Sequence, residues 1–227
     1  MALTQGLGRV MRTHSSSLPV PVQSLIDALR SALLRHQAVA QTAPEQARLS
    51  LADLMALHGA ASSPVLLLLM ALLTLVPLAG AGNVLGLGML VIAWAWCHQH
   101  DAVRLPPRVG AVRLNARWSG RSLSVLLWLY EGAARCLRPR WGGLLHPWTR
   151  YGWSVWIALM VAVIYLPLPL GNVLPSLSLV LMSLGWIFRD GLALVLSTVL
   201  GASAMAYTVF LWQVAELAIQ RLLGFWN

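Results

Sequence analysis

The chain has 227 residues, 58% of them hydrophobic and 10% charged, where an ordinary soluble domain carries about 25% charged residues. With a mean hydropathy of +0.71, it has too little polar side chain to cover a water-facing globule, which excludes soluble, disordered and fibrous classes. All 16 basic side chains are arginine, set against seven acids, and the net charge of +9 must lie outside the apolar segments.

The amino terminus, MALTQGLGRVMRTHSSS, lacks the apolar core of a secretory signal, so residues 1–58 are expected to stay cytoplasmic. Within them, Leu25, Ile26, Leu29, Leu33 and Leu34 recur at helical spacing behind Ser24 as a cap and Asp27 in the first turn, which predicts a modest surface helix. Ser50 as a cap, Asp53, and Leu51, Leu54, Met55 and Leu57 predict a second short helix lying on the membrane surface.

Residues 59–97 form a first apolar hairpin. PVLLLLMALLTLVPLAG from Pro64 is broken at Gly80, Gly82 and Asn83 and resumes as VLGLGMLVIAWAW to Trp96. Each half is about 15 residues, or about 22 Å of helix, short of the ~30 Å hydrocarbon core. Short tilted spans and a re-entrant hairpin both fit that length.

Residues 98–150 are the most basic part, with nine arginines against Asp101 and Glu131, and the positive-inside tendency assigns them to the cytoplasm. The stretch SLSVLLWLYEGAARCL from Ser122 is too short to span. It is expected to be an interfacial amphipathic helix, with Trp128, Tyr130, Trp141 and Trp148 at headgroup depth. Residues 151–190 form a second apolar hairpin, broken around Pro167, Pro169, Gly171, Asn172 and Pro175 and closed by Arg189 and Asp190. Residues 191–227 hold the carboxy-terminal transmembrane helix, with 24 uncharged residues from Leu192 to Ala215, enough to cross unaided. Small residues four apart on it, Ser197 with Gly201 and Ala202 with Ala206, offer a surface for homodimer packing.

The two hairpins echo each other. Gly82-Asn83-Val84-Leu85 recurs as Gly171-Asn172-Val173-Leu174, an offset of 89 residues that also aligns Asp101 with Asp190. Glycine and asparagine are not what leucine-rich sequence supplies by default, so the match is read as an internal repeat. Glycine tolerates a positive φ, asparagine tolerates the left-handed region, and proline removes a donor that lipid could not satisfy. Gly82, Asn83, Pro167, Pro169, Gly171 and Asn172 are therefore the candidate polar-break site. The asparagines either cap helices at the surface or line a polar site in mid-membrane. Asp101, Arg189 and Asp190 are candidate charged ends, read first as capped or paired charges at the interface.

The stretch PLPLGNVLPSLSLVLMSLGWIFRDGLALVLSTVLG, from Pro167 to Gly201, resembles the carboxy-terminal half of the ExoD family of bacterial exopolysaccharide-synthesis membrane proteins. Pro169, Gly171, Asn172, Pro175, Gly185, Arg189, Asp190 and Gly191 stand at positions of that pattern. The resemblance covers residues 45–218 and is looser in the first half, where Pro77 is followed by Gly80, Ala81 and Gly82. It implies an integral protein of the bacterial inner membrane that supports synthesis or secretion of extracellular polysaccharide. It brings no agreed mechanism or functional residues to transfer.

The expected fold is thus an all-α, multi-pass integral membrane protein with two broken or re-entrant hairpins, one full-length span and interfacial amphipathic helices. Its expected function is support of exopolysaccharide synthesis, by transporter-like handling of an anionic lipid-linked sugar at the breaks. The alternative is a non-transporting partner of the synthesis machinery, docking to it or to membrane lipid through Arg135, Arg138 and Arg140. Residues 98–150 and Arg189 are expected on the cytoplasmic side, with the hairpins entering in the same sense. No catalytic constellation stands out, His98 and His100 lack a third ligand at metal spacing, and Cys97 and Cys136 have no disulfide pattern. No enzyme activity, cofactor, metal or nucleic-acid partner is expected.

Overall fold

The computed structural model describes residues 20–42, 62–75, 81–98, 116–146, 148–166, 168 and 171–224. Among these, regular structure is helical. In chain order the helices are α1 (Val20–Thr42), α2 (Ser62–Leu75), α3 (Ala81–Cys97), α4 (Ala116–Cys136), a 3-10 turn (Gly142–Leu145), α5 (Thr149–Tyr165), α6 (Val173–Phe188) and α7 (Gly191–Gly224). The helix expected from Ser50, together with Asp101, Pro167 and Pro169, lies outside the described residues.

The two amphipathic helices pair with each other. α1 buries Ile26, Leu29 and His36, three and seven residues apart, and α4 buries Ser119, Leu123, Leu126 and Tyr130 at three- and four-residue spacing, each a stripe on one face. They run antiparallel, since Arg30 meets Glu131 at 2.7 Å while Gly120 lies beside His36. α1 is longer than the heptad-like core of its sequence suggests, so Ser24 lies inside the helix rather than at its start. α4 turns Arg121, Val125, Trp128 and Arg135 outward. Tyr130 corrects the expectation of an interfacial ring: it is fully buried, edge-on to Phe188 at 5.9 Å, and ties α4 to the end of α6. Burial pushes its phenol pKa up, which keeps it neutral.

The apolar helices cross-pair. α2 packs along α6, and α3 packs along α5, so each arm of the first hairpin lies against an arm of the second. Val65, Leu67 and Leu68 of α2, Met89 and Ile92 of α3, Ile157 and Met160 of α5, and Leu179 and Met182 of α6 fill the shared core. Thr74 Oγ1 at the end of α2 stands 2.8 Å from Ser176 Oγ at the start of α6. Tyr165 at the end of α5 bonds the start of α3 at Asn83. Both pairs are therefore antiparallel, and the two breaks sit at the same end of the four helices.

α7 folds back along α6. Ser178 Oγ donates to Ser197 O and Ser197 Oγ to Ser178 O, both at 2.8 Å, a reciprocal clasp between two apolar helices. α7 is the one described helix long and apolar enough to cross a membrane, over Gly191–Arg221.

Candidate functional site

The site is built from the residues flanking the two breaks. α3 begins at Ala81, so Gly82 and Asn83 occupy its first turn, whereas Gly171 and Asn172 immediately precede α6. Neither asparagine has a positive φ, Asn172 being helical at φ −81°, ψ −20°. The expected left-handed turn is thus not what selects these residues. Close approach is: a Cβ added to Gly82 would stand 3.1 Å from Asn172 Nδ2 and 3.3 Å from Ile164 Cγ2. Four sequence-selected residues, Gly82, Asn83, Gly171 and Asn172, consequently meet at one end of the bundle although the two pairs are 89 positions apart.

Three further residues belong here. Tyr165 Oη donates to Asn83 O at 2.7 Å, and the buried Thr74 and Ser176 hydroxyls bond across α2 and α6. Each is a hydroxyl within a turn of a break in an otherwise apolar run, a signal present in the sequence and overlooked among the glycines and prolines. Thr74 also donates to Ala71 O in its own helix, leaving Ser176 to complete the pair. The Asn83 side chain is exposed and that of Asn172 half-buried, and neither has a hydrogen-bond partner among the described residues. The amino ends of α3 and α6 converge with the carboxy ends of α2 and α5, so partial positive and negative helix charges alternate around the site. It is polar and dipolar, without a net charge of its own.

The opposite end of the bundle is a basic corner. α6 stops at Arg189, in the left-handed region at φ 56°, ψ 36°, and Asp190 N–H closes the turn onto Gly185 O at 2.9 Å. Asp190 then caps α7: its Oδ1 accepts from Leu192 N at 2.9 Å. Its Oδ2 accepts from Arg138 N at 3.0 Å and lies 3.6 Å from Arg140 Nε. Gly191 N donates to Arg140 O at 2.8 Å, and a Cβ on Gly191 would collide with Trp141 at 2.7 Å. The Gly185, Arg189, Asp190 and Gly191 pattern is thus a joint that locks the loop after α4 onto the α6–α7 corner. Asp190 is fully buried while Arg140 remains 42% exposed. Arg135, Arg138 and Arg189 point outward, and none of them pairs with an acid among the described residues.

The other sequence-selected residues lie apart from both ends. Ser197 is buried against Ser178, and Gly201 packs onto Trp156 and Met160 of α5, so these two face helices of their own chain, whereas Ala202 and Ala206 face outward. His98 bonds Trp94 O within its own turn, and no group of three metal-ligating side chains occurs among the described residues.

A family model described as exopolysaccharide synthesis, ExoD, matches residues 30–210. No curated protein and no solved structure matches the chain.

Proposed function

Because the chain belongs to the ExoD family, and so has a role in exopolysaccharide synthesis, we propose that it performs that role by handling an anionic lipid-linked sugar or polysaccharide precursor at the paired breaks. In this reading it is a multi-pass protein of the bacterial inner membrane, its two hairpins are an internal repeat, and the Gly-Asn breaks of both halves act as one site. The observation that carries it is the meeting of Gly82 with Asn172, and of Asn83 with Tyr165, across two segments remote in sequence.

Depth supports the same reading. α2, α3, α5 and α6 have 14, 17, 17 and 16 residues, or about 21–26 Å of helix, against a hydrocarbon core of ~30 Å. With the basic corner at the cytoplasmic surface, the breaks fall below the far headgroups, where backbone and side-chain polar groups require partners. The Thr74–Ser176 and Tyr165–Asn83 bonds supply some. In this reading the Asn83 and Asn172 amides, which have no partner among the described residues, face a polar ligand.

Replacing both asparagines by leucine is expected to lower polysaccharide output at least tenfold while membrane level and thermal stability stay near wild type. Full output from that variant overturns the proposal. If output is instead lost on neutralising Arg135 and Arg138, with membrane level normal and the tip variant unaffected, the protein acts as a non-transporting partner of the synthesis machinery.

A further inference from the structure

The basic corner is organised for a ligand different from that of the breaks. Among the described residues its one acid, Asp190, is buried and engaged by two backbone N–H groups and by Arg140. Glu131, one turn before Arg135 on α4, is held by Arg30 of α1 at 2.7 Å. Among the described residues the local carboxylates are therefore committed elsewhere, and Arg135, Arg138 and Arg189 pair with none of them. Arg138 and Arg189 come from segments far apart in sequence and are brought together because Asp190 clamps the backbone at Arg138. The three side chains project from the last turn of α4, the loop after it and the α6–α7 turn, backbones already held by hydrogen bonds, so less backbone order has to be imposed when they bind.

We propose that Arg135, Arg138 and Arg189, flanked by Trp141 and Trp148, form a seat for the phosphate of anionic phospholipids at the surface where α7 enters the membrane. Arg189 precedes by two positions the first residue of the apolar span Gly191–Arg221, and Arg138 is tied to the same corner through Asp190, so a membrane crossed by α7 would meet them near its phosphate layer. Trp141 and Trp148 are 61% and 79% exposed on the same end, and an exposed indole with a free edge for a polar partner suits the headgroup layer. Guanidinium forks bind phosphate oxygens bidentately. An anionic headgroup gains over a zwitterionic one because no ammonium offsets its charge, by roughly fivefold per arginine at the surface.

The test uses the full-length protein in a neutral detergent, offered equal amounts of phosphatidylglycerol and phosphatidylcholine, with retained lipids counted by native mass spectrometry at low salt. The wild type is expected to retain phosphatidylglycerol at least tenfold over phosphatidylcholine, falling to near parity in the Arg135→Gln, Arg138→Gln, Arg189→Gly variant. Arg189→Gly alone keeps the fold, because glycine suits the left-handed turn, and is expected to lower selectivity about fivefold. Arg35→Gln with Arg221→Gln, which lie away from the corner, should retain it. Parity in the wild type, or undiminished selectivity in both the triple and the single variant, overturns the proposal, and so does a triple variant that loses polysaccharide output with lipid selectivity intact, which marks a protein-docking surface. The Asn83→Leu, Asn172→Leu variant should keep lipid selectivity, so failure of this inference and failure of the proposed function are separable.

Discussion

Asp190 ties the start of α7 to the loop after α4 through one carboxylate. A buried carboxylate is tolerated only when its desolvation is offset by hydrogen bonds and opposite charge. Asp190 has two backbone donors, one from the helix it caps and one from the loop it holds, with Arg140 beside it. Asp190→Ala is expected to destabilise the protein by about 2–3 kcal/mol, as cap and charged hydrogen bonds are lost together. Thermal unfolding in detergent would read this, and a change under about 0.5 kcal/mol, the size of an ordinary surface substitution, would show the joint to be incidental. Its neighbour behaves oppositely. Arg189 has a positive φ, a conformation costing a non-glycine residue about 1 kcal/mol, so Arg189→Gly should unfold at the same temperature as wild type or above it. A clear drop would mean that the arginine side chain, rather than the turn, holds the corner.

At the scale of elements, α6 and α7 associate through small and hydroxylated residues. The Ser178–Ser197 clasp is supplemented by Trp156 Nε1, which donates to Ser178 Oγ at 3.3 Å. Gly201 leaves room for the Trp156 ring edge. Ser178→Ala should cost about 1 kcal/mol, the typical worth of an interhelical hydrogen bond in a membrane protein. Gly201→Leu should cost about 3 kcal/mol or abolish folding, since the ring and Met160 leave no space for a side chain. Equal effects of the two would argue that α7 is held mainly by contacts elsewhere. The sequence made part of this legible. The stripes of α1 and α4 are readable because one face of each is polar, and the apolar runs and their breaks are readable from composition. The pairing of α2 with α6 and α3 with α5 is not, because those helices are apolar all round and no face is distinguished. Tyr130 was unreadable for a related reason: an aromatic ring with a hydroxyl suits both a headgroup layer and a buried edge contact, and only Phe188, 58 positions away, decides between them. Arg140 reads in sequence as one of a set with Arg135 and Arg138, because its partner, Asp190, is 50 residues distant.

For the whole molecule, the relation between α7 and the bundle sets how it can sit in a bilayer. α6 has 16 residues and α7 has 34, about 24 Å and about 51 Å, so α7 continues well past the breaks. Beyond Gly201 nearly every side chain is exposed, including Val209, Phe210 and Trp212. An apolar helix with most of its surface exposed suits lipid contact. In the proposed disposition the shorter four helices reach only part of the way across, with the breaks at their far ends and the arginines at the near surface. Cysteine labelling in a background lacking Cys97 and Cys136 tests this disposition as a unit. A cysteine at Arg189 should react with a membrane-impermeant maleimide from the cytoplasmic side alone, and one at Gln220 from the opposite side alone. Thr74→Cys with Ser176→Cys should cross-link within the chain, since their hydroxyls are 2.8 Å apart. Reaction of positions 189 and 220 from one side would remove α7 as a span even if the cross-link formed. Failure of the cross-link with opposite-sided labelling would retain α7 as the span and break the pairing of α2 with α6, and with it the joining of the two breaks.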